Sequence, residues 1–339
     1  MRFRTALITL LLLVVGYRAT AQDALFNLEL QARADFVNEQ IDGHTIADAS
    51  GFKGKFLNLL ISGGIDEHFA YSYRQRLNRE HLDGAFFDAT DWIYLTYRPS
   101  VQWSFSAGKQ VIAIGGYEYD RTPIDNYFFS AYCNQIACYQ LGASVTHTLP
   151  SGNDHFTAQV TQSPFELEGK NLYAYNLMWV GAHDWLHTLY SINALEYAPS
   201  QFLWLLALGN RLRIGGSHLN LDLTLRHGEG QQLMEDFSLS GEWFIPIGRR
   251  VELIAKATYE INRSDSPIDW LVAAGSEITT VSGTVEFYPM KDGNRAICLH
   301  AAYLRTFGTN THPTAVLHDQ QGIATVGLRW KMNLLKWVR

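Results

Sequence analysis

Charged residues and cysteines are scarce in this sequence, and long apolar runs are missing beyond its N-terminal segment. Only 18% of the 339 residues are charged, which is below the roughly 25% of a typical soluble domain. Three cysteines cannot form a disulfide scaffold in so long a chain. Acidic residues outnumber basic ones, 33 to 27, so the chain lacks the basic field of a nucleic-acid-binding protein. The longest later apolar run, Phe202 to Leu208, is far shorter than the about 20 residues of a membrane helix, which excludes a helical membrane protein.

The N-terminal segment has the three parts of a secretory signal peptide. Two arginines precede an apolar run from Ala6 to Gly16, and the small residues Ala19-Thr20-Ala21 follow it. We therefore expect residues 1–21 to be a cleaved signal peptide that directs the chain to the periplasm. The remaining residues, 22–339, are expected to form a single domain.

The rest of the sequence alternates between apolar and polar residues with a period of two, which is typical of β-strands with two different faces. The alternating segments run for about ten residues, longer than most strands of soluble proteins. Clear examples are residues 26–36, 218–226, 251–262 and 324–334. A soluble sandwich also alternates, so strand length and connection pattern have to distinguish it from a membrane barrel.

The connections between these segments are alternately short and long, as in outer-membrane barrels that have short periplasmic turns and longer external loops. The short ones are rich in Gly, Pro, Asn and Asp, which supply turn geometry. They lie at residues 62–64, 98–100, 149–153, 181–184, 215–217, 246–249 and 289–293. The longer ones lie at roughly 38–51, 77–90, 111–135, 163–171, 228–233, 263–275 and 308–321, with a shorter break near 197–200.

Counting the segments predicts an all-β fold, a transmembrane antiparallel β-barrel of about sixteen strands. Barrels of this size leave an aqueous channel, and an even strand number returns both chain ends to the periplasmic side. Aromatic residues near strand ends, such as Trp103, Trp179 and Trp243, fit the girdles at the two membrane–water interfaces. The sequence therefore predicts a protein of the bacterial outer membrane that contacts its lipid.

The longest connection is the third external one, from Val111 to Gln135. It contains Gly115-Gly116-Tyr117-Glu118-Tyr119-Asp120-Arg121-Thr122-Pro123-Ile124-Asp125, a mixture unlike a flexible surface loop. With Gly108-Lys109-Gln110 before it, and Ala137-Cys138-Tyr139-Gln140-Leu141-Gly142 and Ala158-Gln159-Val160-Thr161-Gln162-Ser163 after it, this run resembles the Bacteroidetes-type branch of the phosphate-selective porin O and P family.

That resemblance implies a sixteen-stranded outer-membrane porin, commonly a homotrimer, whose third external loop folds into the lumen. It also implies conduction of small hydrophilic solutes, including anions such as phosphate, past lumen-facing cations and without a cofactor. The candidate lumen cations are Arg33, Arg74, Arg76, Arg98, Arg226, Lys256, Arg329 and Lys331. The candidate constriction residues at the loop are Lys109, Glu118, Asp120, Arg121 and Asp125.

Acidic residues share the inward phase of the strands, so the sequence leaves the choice between anion preference and general diffusion open. They are Glu29, Asp35, Asp66, Asp222, Glu252 and Glu260. Two other functions remain as alternatives, an adhesin or structural envelope barrel and an outer-membrane lipid hydrolase. The hydrolase would need His218 and Ser240 side by side at the lipid face, and no spacing supports that pair.

Two other groups of residues, a pair of histidines and a pair of cysteines, need no metal site or disulfide to explain them. His183 and His187 have the spacing of metal ligands on a helix, but no third ligand is apparent, and a turn followed by a strand start is the better interpretation. Cys133 and Cys138 are close enough in sequence to form a disulfide in an oxidising compartment without being required to. We expect no catalytic residues and no metal site.

Overall fold

The computed structural model describes residues 25–78, 87, 89–165, 171–232, 234–264, 269–291, 294–310 and 320–337. The predicted signal peptide, residues 1–21, lies outside these ranges. Among the described residues, no helix is both long and apolar enough to cross a membrane.

Sixteen strands in the described ranges form the wall of a closed antiparallel barrel, as predicted. In chain order, β1 to β8 are Phe26–Ile41, Gly51–Gly64, Phe69–Arg76, Thr90–Tyr97, Trp103–Val111, Tyr139–Thr148, Asp154–Gln162 and Tyr173–His183. β9 to β16 are Leu186–Ala198, Gln201–Ile214, Ser217–His227, Asp236–Ile247, Val251–Asn262, Ser276–Phe287, Ile297–Asn310 and Gly322–Trp337. A further two-residue strand, His44–Thr45, pairs with the end of β1.

Each strand pairs with its neighbours in sequence, and β1 closes the barrel on β16. The closing register runs from Phe26 opposite Trp337 to Gln40 opposite Gly322, with one bulge. The turn between β8 and β9 contains only Asp184 and Trp185, so the two histidines beside it belong to a hairpin, as the sequence indicated.

The two faces of the wall differ in composition as the alternation predicts. Large apolar side chains such as Leu177, Trp204 and Trp243 lie exposed on the outer face. Their sequence neighbours Asn176, Leu205 and Glu242 are buried on the inner face. A barrel with an apolar exterior and a largely polar interior is suited to lipid outside and water inside.

Residues 112–138, which connect β5 to β6, form what we call the inner segment. It contains helix α1 (Tyr117–Asp120), a 3₁₀ turn (Pro123–Asp125) and helix α2 (Ala131–Gln135). Its apolar side chains, including Ile112 and Tyr132, pack against Leu203 and Leu205 of β10. This contact explains why the run Phe202 to Leu208 is apolar on both faces, since one face belongs to the apolar outer surface of the barrel and the other meets the inner segment.

Candidate functional site in the barrel lumen

Two buried carboxylates of the wall hold the two helices of the inner segment. Asp222 on β11 accepts hydrogen bonds from the backbone amides of Tyr117 and Glu118, each 2.8 Å long. Glu260 on β13 accepts from the amides of Ala131 and Tyr132 at 2.7 and 2.9 Å. The first amides of a helix have no partner within the helix, so each carboxylate satisfies two donors that burial would otherwise leave unpaired.

Glycines allow the start of the segment to lie directly on the wall. A Cβ at Gly115 would lie 2.5 Å from the carbonyl oxygen of Leu189, and Gly116 has a φ of 100°. On β10, a Cβ at Gly209 would lie 2.8 Å from the Cα of Gly116. The Gly115-Gly116 pair noted in the sequence therefore meets a third glycine across the contact.

Polar side chains of the wall fix the backbone that precedes α1. Gln159 accepts from the amide of Ala113 at 2.7 Å, and Asn193 donates to the carbonyl of the same residue at 2.8 Å. The amide of Gly115 donates to Ser191 Oγ at 2.7 Å. The segment is thus hydrogen-bonded to β7, β9, β11 and β13.

Two ion pairs join acids and bases of the segment to the wall between β12 and β13. Lys256 lies 2.7 Å from Glu118, with both side chains buried, and it also donates to the carbonyl of Phe128. Arg121 lies 2.6 Å from Glu242 and over the ring of Phe244. These predicted constriction residues lie in the lumen, but each is neutralised by a partner.

A second set of charges lies where the segment meets β14, β16 and β1. Asp125 lies 2.7 Å from both Arg329 and Lys331 of β16. Arg329 also lies 3.2 Å from Glu286 of β14. Arg33 of β1 pairs with Asp35 at 2.7 Å and donates to the carbonyl of Asn126. The segment therefore spans the lumen from β11 to β1.

The tyrosines of the segment are neutral hydrogen-bonding groups. Burial raises the pKa of Tyr117 to about 12, although the Arg211 guanidinium opposes the shift. Burial also raises the pKa of Tyr127, whose hydroxyl donates to Glu286. Both phenols keep their protons at neutral pH, so the segment adds no phenolate charge to the lumen.

A cavity of about 450 Å³ remains between the inner segment and the periplasmic end of the barrel. Its lining carries four acidic and four basic side chains, together with Tyr288, Ala296 and Asn333. The charged ones are Glu29, Asp125, Glu252, Glu286, Arg121, Arg295, Arg329 and Lys331. A solute in this cavity would meet charge of both signs.

Several predicted site residues are not placed where the sequence analysis put them. Lys109 belongs to the outward phase of β5, since its register partner is the exposed Ile93, and it contacts Phe87. The assignment failed because Gly108 and Lys109 were read from the motif rather than from the strand phase. Arg98 lies outside the strands, directly after the end of β4, and is exposed beside a short turn.

Three further predicted cations face inward, but two of them are buried in ion pairs. Arg74 is 1% exposed, pairs with Asp91 at 2.7 Å and lies over the ring of Trp92. Arg226 is fully buried against Asp269 at 2.6 Å. Arg76 is a quarter exposed and lies 3.7 Å from Asp91. Arg74 and Arg226 were wrong as pore-lining residues, because each is enclosed by its partner and neighbouring side chains.

Asp120 is exposed at the end of α1, and Arg211 of β10 lies close to the same helix. The guanidinium of Arg211 is 4.1 Å from the ring centre of Tyr117. Arg211, Arg213 and Arg295 were all missed by the sequence analysis. Arg211 and Arg213 continue the inward phase of Leu203 and Leu205, and that phase is the signal that could have identified them.

The other sequence hypotheses can be compared with the described residues. Cys133 and Cys138 are free thiols. His218 and Ser240 both lie on the inner face, where their register partners are Phe244 and Asp222. Four residues of strand separate the two positions, about 13 Å at the usual rise per residue. The lipid-face pair that a hydrolase would need is therefore not formed.

Comparison with known proteins gives a family match for the N-terminal part of the chain. Residues 26–184 match the model of the family described as phosphate-selective porin O and P, which confirms the resemblance over that part. No curated protein matches the chain in sequence.

Solved outer-membrane proteins share the fold at low sequence identity. The channel DcaP of Acinetobacter baumannii is 9% identical with a TM-score of 0.65, over 94% of this chain and 99% of that one. The trimer form of OmpT from Vibrio cholerae is 11% identical with a TM-score of 0.60, over 92% and 100%. OccK11 of Pseudomonas aeruginosa is 12% identical with a TM-score of 0.51, over 94% and 100%. The fold is that of outer-membrane porins.

Proposed function

We propose that this chain, with a porin-family match over residues 26–184 and the fold of outer-membrane porins, is a passive diffusion channel for small hydrophilic solutes. The observation that carries the proposal is the charged cavity between the inner segment and the periplasmic end of the barrel. Solutes cross by diffusion, with no cofactor and no coupling to an energy source. The outer membrane is the place of action.

The inner segment sets which solutes pass. It occupies much of the lumen and is held by carboxylates and amides rather than by a hinge, so the constriction has a fixed shape. Weak interactions with several charges along a water-filled path let a solute enter and leave again. The pairing of Arg121 with Glu242 and of Lys256 with Glu118 keeps any one site from binding an ion tightly.

Preference for anions such as phosphate is a second candidate function, supported by the periplasmic side of β10. Arg213 is exposed there, and Arg211 lies two residues before it on the same face. Neither residue has an acidic partner among the ion pairs of the described residues. Such cations would attract anions without closing the path.

A homotrimer accounts for the unequal height of the wall. β3 and β4 have eight residues each, fewer than the about 9–11 that cross a bilayer, whereas β9 and β10 have 13 and 14. Contact with a second protomer would cover the short side, and OmpT of Vibrio cholerae has a trimer form. Light scattering after mild detergent extraction should give three times the protomer mass.

The proposal is tested by swelling of liposomes that contain the purified protein. Uncharged sugars of increasing size should enter at rates that fall steeply with size, as expected for a narrow water-filled pore. Equal and slow rates for every sugar, matching protein-free liposomes, would reject the channel. The result would then favour an adhesin or envelope-anchoring barrel.

A further inference from the structure

Four of the charges that line the periplasmic cavity are grouped by strand. Glu252 of β13 and Glu286 of β14 are directly opposed in the antiparallel register. Arg329 and Lys331 lie on β16, two strands away from β14. The inward residues of the strand between them at this level are Cys298 and His300, whose register partners are Arg329 and Glu286. The acids Glu252 and Glu286 therefore lie beside the cations Arg329 and Lys331 on nearby strands of the cavity, with Arg329 in contact with Glu286.

Two acids directly opposed on neighbouring strands repel each other unless cations lie between or beside them. Here Arg295 lies 2.9 Å from Glu252, and Arg329 lies 3.2 Å from Glu286. Arg295 is 52% exposed, donates to Glu252 through two nitrogens at 2.9 and 3.5 Å, and lies over the ring of Tyr288. An exposed cation beside a buried acid marks a place where a cationic group of a solute can compete for the carboxylate.

The two cations of β16 can bind the negative end of the same solute. Lys331 is 31% exposed and shares Asp125 with Arg329, so two cations stand against one carboxylate. A carboxylate from a solute can therefore bind at Lys331 while Arg329 keeps Asp125 and Glu286. Such an exchange preserves the charge balance of the cavity, which a lone anion or a lone cation would disturb.

We infer that this cavity is a permeation subsite for small zwitterions, such as free amino acids and short peptides, with the ammonium group at Glu252 and the carboxylate at Lys331. The inference rests on the proposed channel function and adds a solute class to it. A molecule that carries both charges replaces both displaced contacts at once, whereas an uncharged molecule of the same size replaces neither. Zwitterions should consequently pass faster than their uncharged isomers.

Liposome swelling with L-alanine and lactamide tests the inference, because the two are isomers that differ in charge distribution. The channel should admit L-alanine at least threefold faster than lactamide, and faster than lactate. The double variant Glu252→Gln, Lys331→Gln should lower the L-alanine rate to that of lactamide. Circular dichroism with an unchanged β-sheet signal would report that the double variant is folded. Asp184→Asn, at an exposed turn outside the cavity, is the matched control and should behave as the wild type.

Each other outcome rejects the inference in a distinguishable way. Equal rates for L-alanine and lactamide in the wild type, or a preference that survives in the double variant, would overturn the zwitterion subsite while leaving the channel intact. A faster rate for lactate than for L-alanine would replace it with anion preference. No uptake of either isomer would reject the channel itself, and the inference with it.

Discussion

Lys256 and Glu118 lie 2.7 Å apart in the lumen although 138 residues separate them in the sequence. Both side chains are buried, and the contact joins the wall strand β13 to the first helix of the inner segment. The pair is one of several that fix the constriction, together with Asp222 and Glu260, which accept the first amides of the two helices.

Removal of one member of this buried pair should loosen the constriction. Lys256→Met leaves the Glu118 carboxylate without its counter-ion, a change that costs about 3–5 kcal/mol for buried pairs. Urea unfolding in vesicles should shift to lower concentration, and the single-channel conductance should rise and become noisy. Lys53→Met is the control, since that ammonium contacts only an exposed carbonyl of Asp48 in the described part of the chain. Unchanged conductance in Lys256→Met would contradict the role assigned to the pair.

Asp222 should be required for order at the start of α1. Asp222→Asn keeps the shape but offers one acceptor oxygen instead of two, so either the amide of Tyr117 or that of Glu118 loses its partner. An unpaired buried amide costs about 1–3 kcal/mol. Hydrogen exchange should therefore become faster in the peptide that contains these amides. The same substitution at the exposed Asp184 should leave exchange unaltered, and equal protection in both variants would argue against the contact.

Because the backbone of the inner segment touches the wall, we expect alanine to destabilise the protein at one glycine and to have no effect at another. Gly115→Ala would place a Cβ 2.5 Å from the Leu189 carbonyl, so the segment or the wall has to move. Overpacking of this kind costs about 1–3 kcal/mol. Gly216→Ala, at a short turn where no atom lies within 4 Å, should be neutral. Comparison of urea midpoints and sugar permeation rates for the two variants measures the difference.

Substitution of two lysines tests which side chains face the lumen and which face outward. Lys331→Ala removes a positive charge from the periplasmic cavity and should shift the reversal potential in a KCl gradient towards cation preference. Lys109→Ala should leave the reversal potential as it is, because that side chain lies on the outward phase of β5. A shift in Lys109→Ala as large as that in Lys331→Ala would mean that the strand phase is wrong.

The barrel could be predicted from the sequence because its signal repeats along the whole chain. Alternation in β1, β13 and β16, and the alternation of short and long connections, each depend on local sequence alone. The inner segment was recognisable from its length and from the motif around Gly115 and Arg121. The run Phe202 to Leu208 is apolar on both faces in the sequence, and the inner segment packs on one of these faces.

The charge pattern of the lumen could not be read in the same way. The phase of a strand tells which residues face inward. Which of them form ion pairs depends on neighbours that are distant in sequence, as in the pair of Arg226 and Asp269. Arg295 was missed because it lies in the connection between β14 and β15, where alternation gives no phase. The sequence therefore yielded the inward cations as a set, and the structure was needed to separate Lys331 in the cavity from Arg74 in an enclosed pair.

Single-channel recording of the purified protein in a planar bilayer tests directly whether the barrel conducts. We expect stable conductance steps of uniform size in KCl, which become larger and noisier in Lys256→Met. A protein that inserts into the bilayer and produces no conductance steps would contradict the channel, and the barrel would then have to act through its external surface.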